Sequence, residues 1–116
     1  MKDLFADILE IDDVQGVMFL SFDGKLLFKE FGSHPAEEIE NNNWDSFIRV
    51  LNGVREAEMI FENNRLYIKR AGSGYIFIVM GSFAPVAMVR LNCNIILPAL
   101  DQIKKKPKGF GRFFRK

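Results

Sequence analysis

The sequence is poor in the residues that most often carry chemistry. Its 116 residues include one cysteine, one histidine and one tryptophan. A single cysteine cannot close an internal disulfide, which excludes a disulfide-stapled scaffold and suits a reducing compartment. One His and one Cys cannot furnish the N/S ligand set of an ordinary zinc site. No apolar run approaches the roughly 20 residues that cross a bilayer as a helix. Residues 1–22 contain Asp3, Asp7, Glu10, Asp12 and Asp13 and do not read as a signal peptide. These absences predict a cytoplasmic chain. What is present is ordinary globular material, 48% hydrophobic and 27% charged. That is enough for one domain with its own core and too little for two.

Charge is unevenly spread. The net charge of +1 conceals a C-terminal run containing Lys104, Lys105, Lys106, Lys108, Arg112, Arg115 and Lys116 and no acid. Seven of the sixteen basic residues lie there, leaving nine against fifteen acids in residues 1–103, a balance of −6. The same run holds Phe110, Phe113 and Phe114, three of the twelve phenylalanines. The chain therefore divides into a domain, 1–103, and a basic, Phe-rich tail, 104–116.

Hydrophobic periodicity supplies the elements. Within residues 3–11, Leu4, Ile8 and Ile11 recur at helical spacing, with Phe5 and Leu9 beside them. Two apolar runs, QGVMFLSF and KLLFKEF, flank Asp23-Gly24. Asp-Gly between such runs predicts a two-residue type I′ hairpin, pairing Phe19 with Phe28, Leu20 with Leu27 and Phe22 with Lys25. A helix is expected within residues 36–52. Its firmest part is the stripe Trp44, Phe47, Ile48 and Leu51, with Asn43 as N-cap and Gly53 just past the end. A second hairpin follows, VREAEMIFE and RLYIKRA, turning at Asn63-Asn64. That turn pairs Glu62 with Arg65, Ile60 with Tyr67 and Glu58 with Lys69 on one face, and Phe61 with Leu66 and Met59 with Ile68 on the other. Residues 75–80, YIFIVM, read as the most buried strand. A long closing helix is expected to begin near Ala84 with Pro85 in its first turn. Val86, Val89, Cys93, Ile96, Leu100 and Ile103 form its core stripe. Pro98 should kink this helix or end its regular part. The order α-β-β-α-β-β-β-α predicts an α+β fold, an α/β/α sandwich around a five-stranded antiparallel sheet.

This order, with GVMFLSFDGKLLF, ENNRLYIKRAGSGYIFIVM and the long apolar C-terminal helix, resembles the roadblock / dynein light chain family over about residues 3–103. The resemblance implies a profilin-like or longin-like fold that is usually a homodimer, joined through the middle helix and the adjoining third strand. It also implies regulatory roles: scaffolding, binding small Ras-like GTPases, and attaching cargo or polarity machinery. On that basis the dimer or partner interface would be drawn from Trp44, Phe47, Ile48, Leu51, Arg55 and Glu58, although most of the helical stripe is expected in the core, with Trp44 as the candidate anchor. Asn41-Asn42-Asn43 and the basic tail depart from the family pattern and leave the particular partner open.

Catalysis finds no support in the residues. His34 sits before Pro35 in a loop, and Cys93 lies on a core stripe where a thiol acts as a small hydrophobe. Gly72-Ser73-Gly74 joins two strands and lacks the lysine of a phosphate loop, and Gly109-Phe110-Gly111 follows no strand. Glu56, Glu58 and Glu62 read as a solvated strand face. No catalytic set, cofactor or metal is expected.

Two functions from different classes remain. The first is a non-enzymatic homodimeric adaptor or regulator that presents a sheet-and-helix platform to a protein partner, a small GTPase foremost. The second is a peripheral tether acting through the tail residues Lys104, Lys105, Lys106, Lys108, Phe110, Arg112, Phe113, Phe114, Arg115 and Lys116. An anionic membrane surface is its natural partner. Nucleic acid is the weaker competitor, because the domain carrying the tail is acidic overall.

Overall fold

The computed structural model describes residues 3–31, 44–51, 53–62 and 64–105, without the side chains of Trp44, Asp45, Phe47 and residues 103–105. A 3-10 turn, Asp3–Phe5, leads into α1 (Ala6–Leu9) and then β1 (Val14–Ser21) and β2 (Leu26–Phe31). After α2 (Trp44–Val50) come β3 (Glu56–Ile60), β4 (Arg65–Arg70) and β5 (Gly74–Met80), and α3 (Val86–Lys105) closes the chain. The strands form one antiparallel sheet in the order β2-β1-β5-β4-β3. The expected architecture is present, with β5 at the centre and every residue of it buried.

Alternation along the strands divides the core into two layers. On one face Val17, Phe19, Tyr67, Ile76, Ile78 and Met80 meet Phe5, Ile8 and Ile11 and the α3 stripe Val89, Cys93, Ile96 and Leu100. On the other, Met18, Leu20, Leu66, Ile68, Phe77 and Val79 meet Ile48 and Leu51 of the α2 segment. β1 and β5 are apolar on both faces because helices cover both. The first helical region is shorter than its periodicity suggests. Only Ala6–Leu9 is α-helical, yet Phe5, Ile8 and Ile11 are all buried, because the 3-10 turn and the residues past the helix still deliver them to the core.

The first hairpin does not use the expected two-residue turn. Gly24 donates its N–H to the Ser21 carbonyl at 3.0 Å, and Ser21 N–H to the Lys25 carbonyl at 2.9 Å, so residues 22–24 form the loop. Gly24 has φ +90°, whereas Asp23 is not among the positive-φ residues. This is the three-residue pattern in which only the last loop position must be left-handed. Leu20 therefore faces Leu26 instead of Leu27, and Phe22 lies in the loop instead of opposite Lys25. A bulge then restores the expected Phe19–Phe28 pair.

The second hairpin is shifted by two. Ile60 faces Arg65, Met59 Leu66, Glu58 Tyr67, Ala57 Ile68 and Glu56 Lys69. Phe61 N–H donates to the Asn64 carbonyl at 2.8 Å, which moves the turn one residue ahead of Asn63-Asn64. The expected pairs Glu62–Arg65, Ile60–Tyr67, Glu58–Lys69, Phe61–Leu66 and Met59–Ile68 are all replaced. Because the shift is two, every side chain keeps its face.

α3 also departs from expectation at its far end. Pro85 stands just ahead of it, its carbonyl accepting from Met88 and Val89 N–H, but Pro98 does not end it. The helix continues to Lys105. Pro98 and Asn94 are both exposed, so the Asn94 carbonyl left without a helical donor faces water, where its loss is cheapest. Lys104 and Lys105 thus belong to the helix. The remaining tail, the 36–43 part of the middle helix, its Asn43 cap and His34 lie outside the described residues.

Candidate functional site

Among the described residues β3 is paired on one side only, with β4. Arg70 N–H donates to the Arg55 carbonyl at 2.9 Å, and Phe61 N–H bonds inward at the other end. In an antiparallel ladder this fixes the alternation: residues 55, 57, 59 and 61 bond to β4, while the N–H and C=O groups of Glu56, Glu58 and Ile60 point to the open edge. Such an edge is a template for another strand.

α2 packs on one face of the sheet, over β4 and β5, and is tied to it at its C-terminal end. Tyr75 donates its hydroxyl to the Leu51 carbonyl at 2.9 Å, and Val54 N–H donates to the same oxygen at 2.8 Å. Gly53 has φ +85°, the left-handed position that lets the chain reverse from helix into β3. Ile48 and Leu51, only 4% and 6% exposed, are consumed by the core under the sheet. They are not surface: of the two readings of the stripe, core holds for these two, and they leave the interface set. The reason is that α2 needs those two residues to cover Leu66, Ile68, Phe77 and Val79. Trp44 and Phe47 belong to the same helix by backbone. Val50, 76% exposed, was not among the expected interface residues. It falls off the Ile48–Leu51 stripe, so periodicity gave no signal for it. Ile60, 77% exposed, and the half-exposed Phe61 add apolar surface at the end of β3.

Arg55 and Glu58 do not share a face with α2 as a single patch. Arg55 is exposed at the start of the edge, beside Lys69, Arg70 and Leu97. Glu58 is on the α3 side, ion-paired with Arg65 at 3.2 Å. Arg65 also donates to the carbonyls of Gly81 and Ala84, at 3.2 and 2.8 Å, clamping the start of α3. One strand position further, Glu56 accepts the hydroxyl of buried Tyr67 and the Nε–H of Arg90 at 2.6 Å. The Tyr67 hydrogen bond and then Arg90 hold the Glu56 carboxyl below its usual value. Burial, reinforced by that carboxylate, raises Tyr67 above the ordinary phenol value. This trio braces β3 and β4 against α3. It holds no nucleophile poised for reaction: Tyr67 stays protonated, and burial pushes the Cys93 thiol up to about 12. Among the described residues no group of His, Cys, Asp and Glu is assembled for a metal ion. No helix among them is long and apolar enough to cross a membrane.

A five-stranded antiparallel sheet in this order, with two helices on one face and one on the other, is the roadblock/LC7 fold. The chain superposes on MglB, the gliding protein of Thermus thermophilus, with a TM-score of 0.68 at 16% identity, covering 90% of this chain and 87% of that one. A roadblock/LC7 domain from Streptomyces avermitilis gives a TM-score of 0.69 at 10% identity, with 90% and 98% covered. MglC from Myxococcus xanthus gives 0.60 at 12% identity, with 83% and 95% covered. No family model matches the sequence, and no curated protein matches it.

Proposed function

We propose that the chain is a non-enzymatic, cytoplasmic adaptor or regulator that works as a homodimer. Two copies join through their β3 edges, with α2 of each alongside. The resulting platform binds a protein partner, for which a small Ras-like GTPase is the class the family resemblance indicates. The observation that carries the reading is the β3 edge left open among the described residues, with exposed Ile60 and Phe61 at its end. A two-fold axis applies the same patch twice, so one unpaired edge suffices. With no catalytic set among the described residues, such a regulator would act on a GTPase by positioning the partner's groups or shifting its conformations.

Glu58→Pro tests the dimer. It removes an N–H that points to the open edge and takes no ladder bond from β4. Light scattering should give about twice the 13.4 kDa chain mass for the wild type and a single chain mass for the variant, with native circular dichroism in both. A wild-type monomer at high concentration would refute the platform. Glu58→Arg, which reverses charge at the edge without removing the N–H, should weaken partner capture.

A further inference from the structure

α3 carries two apolar rows, and the fold of one chain uses only the first. Val89, Cys93, Ile96 and Leu100 face the sheet and are buried. Met88, Leu91 and Ile95 lie on the far side of the same helix and are 50%, 58% and 63% exposed. Pro98 and Gln102, also exposed, continue that row. Between Val86 and Ile103 the helix has two charged residues, Arg90 and Asp101. Both are turned to groups of their own domain, Arg90 to Glu56 at 2.6 Å and Asp101 to Gly72 N–H at 2.9 Å. A helix that is apolar on opposite sides is one built to be covered on both.

The spacing of the outer row says what covers it. Residues 88, 91, 95, 98 and 102 follow one another by three, four, three and four, the a/d repeat of a two-helix seam. The row is also self-complementary. With two copies of α3 antiparallel about a two-fold axis beside Cys93, Leu91 of each meets Ile95 of the other, and Met88 meets Pro98. Asn92 and Asn94 flank the centre, so no like charges face each other across it. Asn92 already donates its side-chain amide to the Met88 carbonyl of its own helix at 2.9 Å.

Charge selects the same direction. The last turn of α3, which carries Lys104 and Lys105 in sequence, comes alongside the start of the other α3. There Asp13 accepts Phe83 N–H at 2.9 Å and Asp12 is exposed. Opposite helix dipoles are paired as well, whereas a parallel pair would set like ends side by side.

We propose that the outer face of α3 is a second self-association surface, on which another copy of this chain lies antiparallel, α3 against α3. The row faces away from the sheet and the β3 edge lies in its plane, so one copy can use both contacts. Chains already joined through β3 are then linked into larger assemblies. A few side chains per copy fall well short of an interface burying about 1,600 Å². The contact is therefore weak and forms at high concentration.

Sedimentation equilibrium of the full chain between about 10 µM and about 1 mM tests it. The wild-type mass should rise past two chains toward the top of that range. Leu91→Glu with Ile95→Glu should abolish the rise, weakening the contact about 100-fold or more. Both positions are exposed, and circular dichroism checks that the variant folds. Glu58→Pro should go from one chain to two over the same range. If pairing through β3 fails, the wild type should behave in that way too, so the two failures are distinguishable. For the register, a Leu91→Cys chain mixed with an Ile95→Cys chain should oxidise to the mixed disulfide in preference to either self-linked product, since Cys93 is buried. No rise in wild-type mass by about 1 mM would overturn the proposal, as would an undiminished rise in the glutamate variant or a preference for self-linked products. Slow maleimide labelling of Ile95→Cys at about 10 µM would mean that the chain's own residues cover the row, and would overturn it as well.

Discussion

The β1–β2 hairpin turns through three residues and then bulges, whereas the β3–β4 hairpin runs in unbroken register from Ile60–Arg65 to Glu56–Lys69. The difference follows from what each must bury. With a three-residue loop and no bulge, Phe28 would fall opposite Met18 and turn to the α2 face. The extra residue at Leu27 returns it to Phe19 and the α1 face, where its ring stacks on Phe5 at 5.4 Å. The second hairpin needs no such repair, because a shift of two changes neighbours and leaves faces alone. Its neighbours are then chosen by hydrogen bonding: Tyr67 reaches Glu56, and Arg65 reaches Glu58. Face parity is enforced by the core, and the register within that parity is set by polar partners.

Removing the polar partner should break the second hairpin's advantage most. Tyr67→Phe deletes a buried hydroxyl bonded to a carboxylate and should cost about 2 kcal/mol in denaturant unfolding. It also carries a pH signature. Glu56 is held below its usual value in the fold, so its contribution is fully present above the unfolded carboxyl value and is lost as pH falls through the lower folded one. In Tyr67→Phe the acid limb of the stability curve should become shallower. An unchanged limb would mean that Tyr67 does not set the Glu56 titration.

The first hairpin should respond at its loop. Gly24→Ala places a side chain at φ +90° and should cost about 1 kcal/mol. Asp23→Ala should lack this backbone penalty, since Asp23 is not left-handed; a type I′ turn would have needed φ > 0 at both positions. Thermal melts of the two variants separate the two loop types.

The smallest effect decides the register of the second hairpin. A double-mutant cycle on Glu58 and Arg65 should give a coupling of about 0.5 kcal/mol, as expected of a partly exposed pair. The same cycle on Glu62 and Arg65 should give none. Coupling at Glu62 would restore the register that the Asn-Asn turn suggests.

The order of the elements, the buried β5 and the α3 core stripe were legible in the residues, because periods of 2 and 3.6 report which face is buried; that β3 is an edge strand came from the sheet order. The candidate site was legible only in outline. Ile48 and Leu51 belong to the same helical stripe as Trp44 and Phe47, and sequence spacing alone does not say whether a sheet or a second chain covers a stripe. Val50 stood outside every periodic pattern and emerged only when α2 was placed.

Fold class, the shortage of ligands for a zinc or disulfide framework, and the contrast in composition between domain and tail all follow from residue type and local spacing, so the amino-acid order suffices for them. Four features required the packed chain: the bulge at Leu27, the register of β3 on β4, the passage of α3 through Pro98, and the exposure of Met88, Leu91 and Ile95 on the outer face of α3. Each of these depends on which groups the packed chain buries, exposes or brings within bonding distance. The balance of burial and hydrogen bonding that settles them exists only once the strands are side by side.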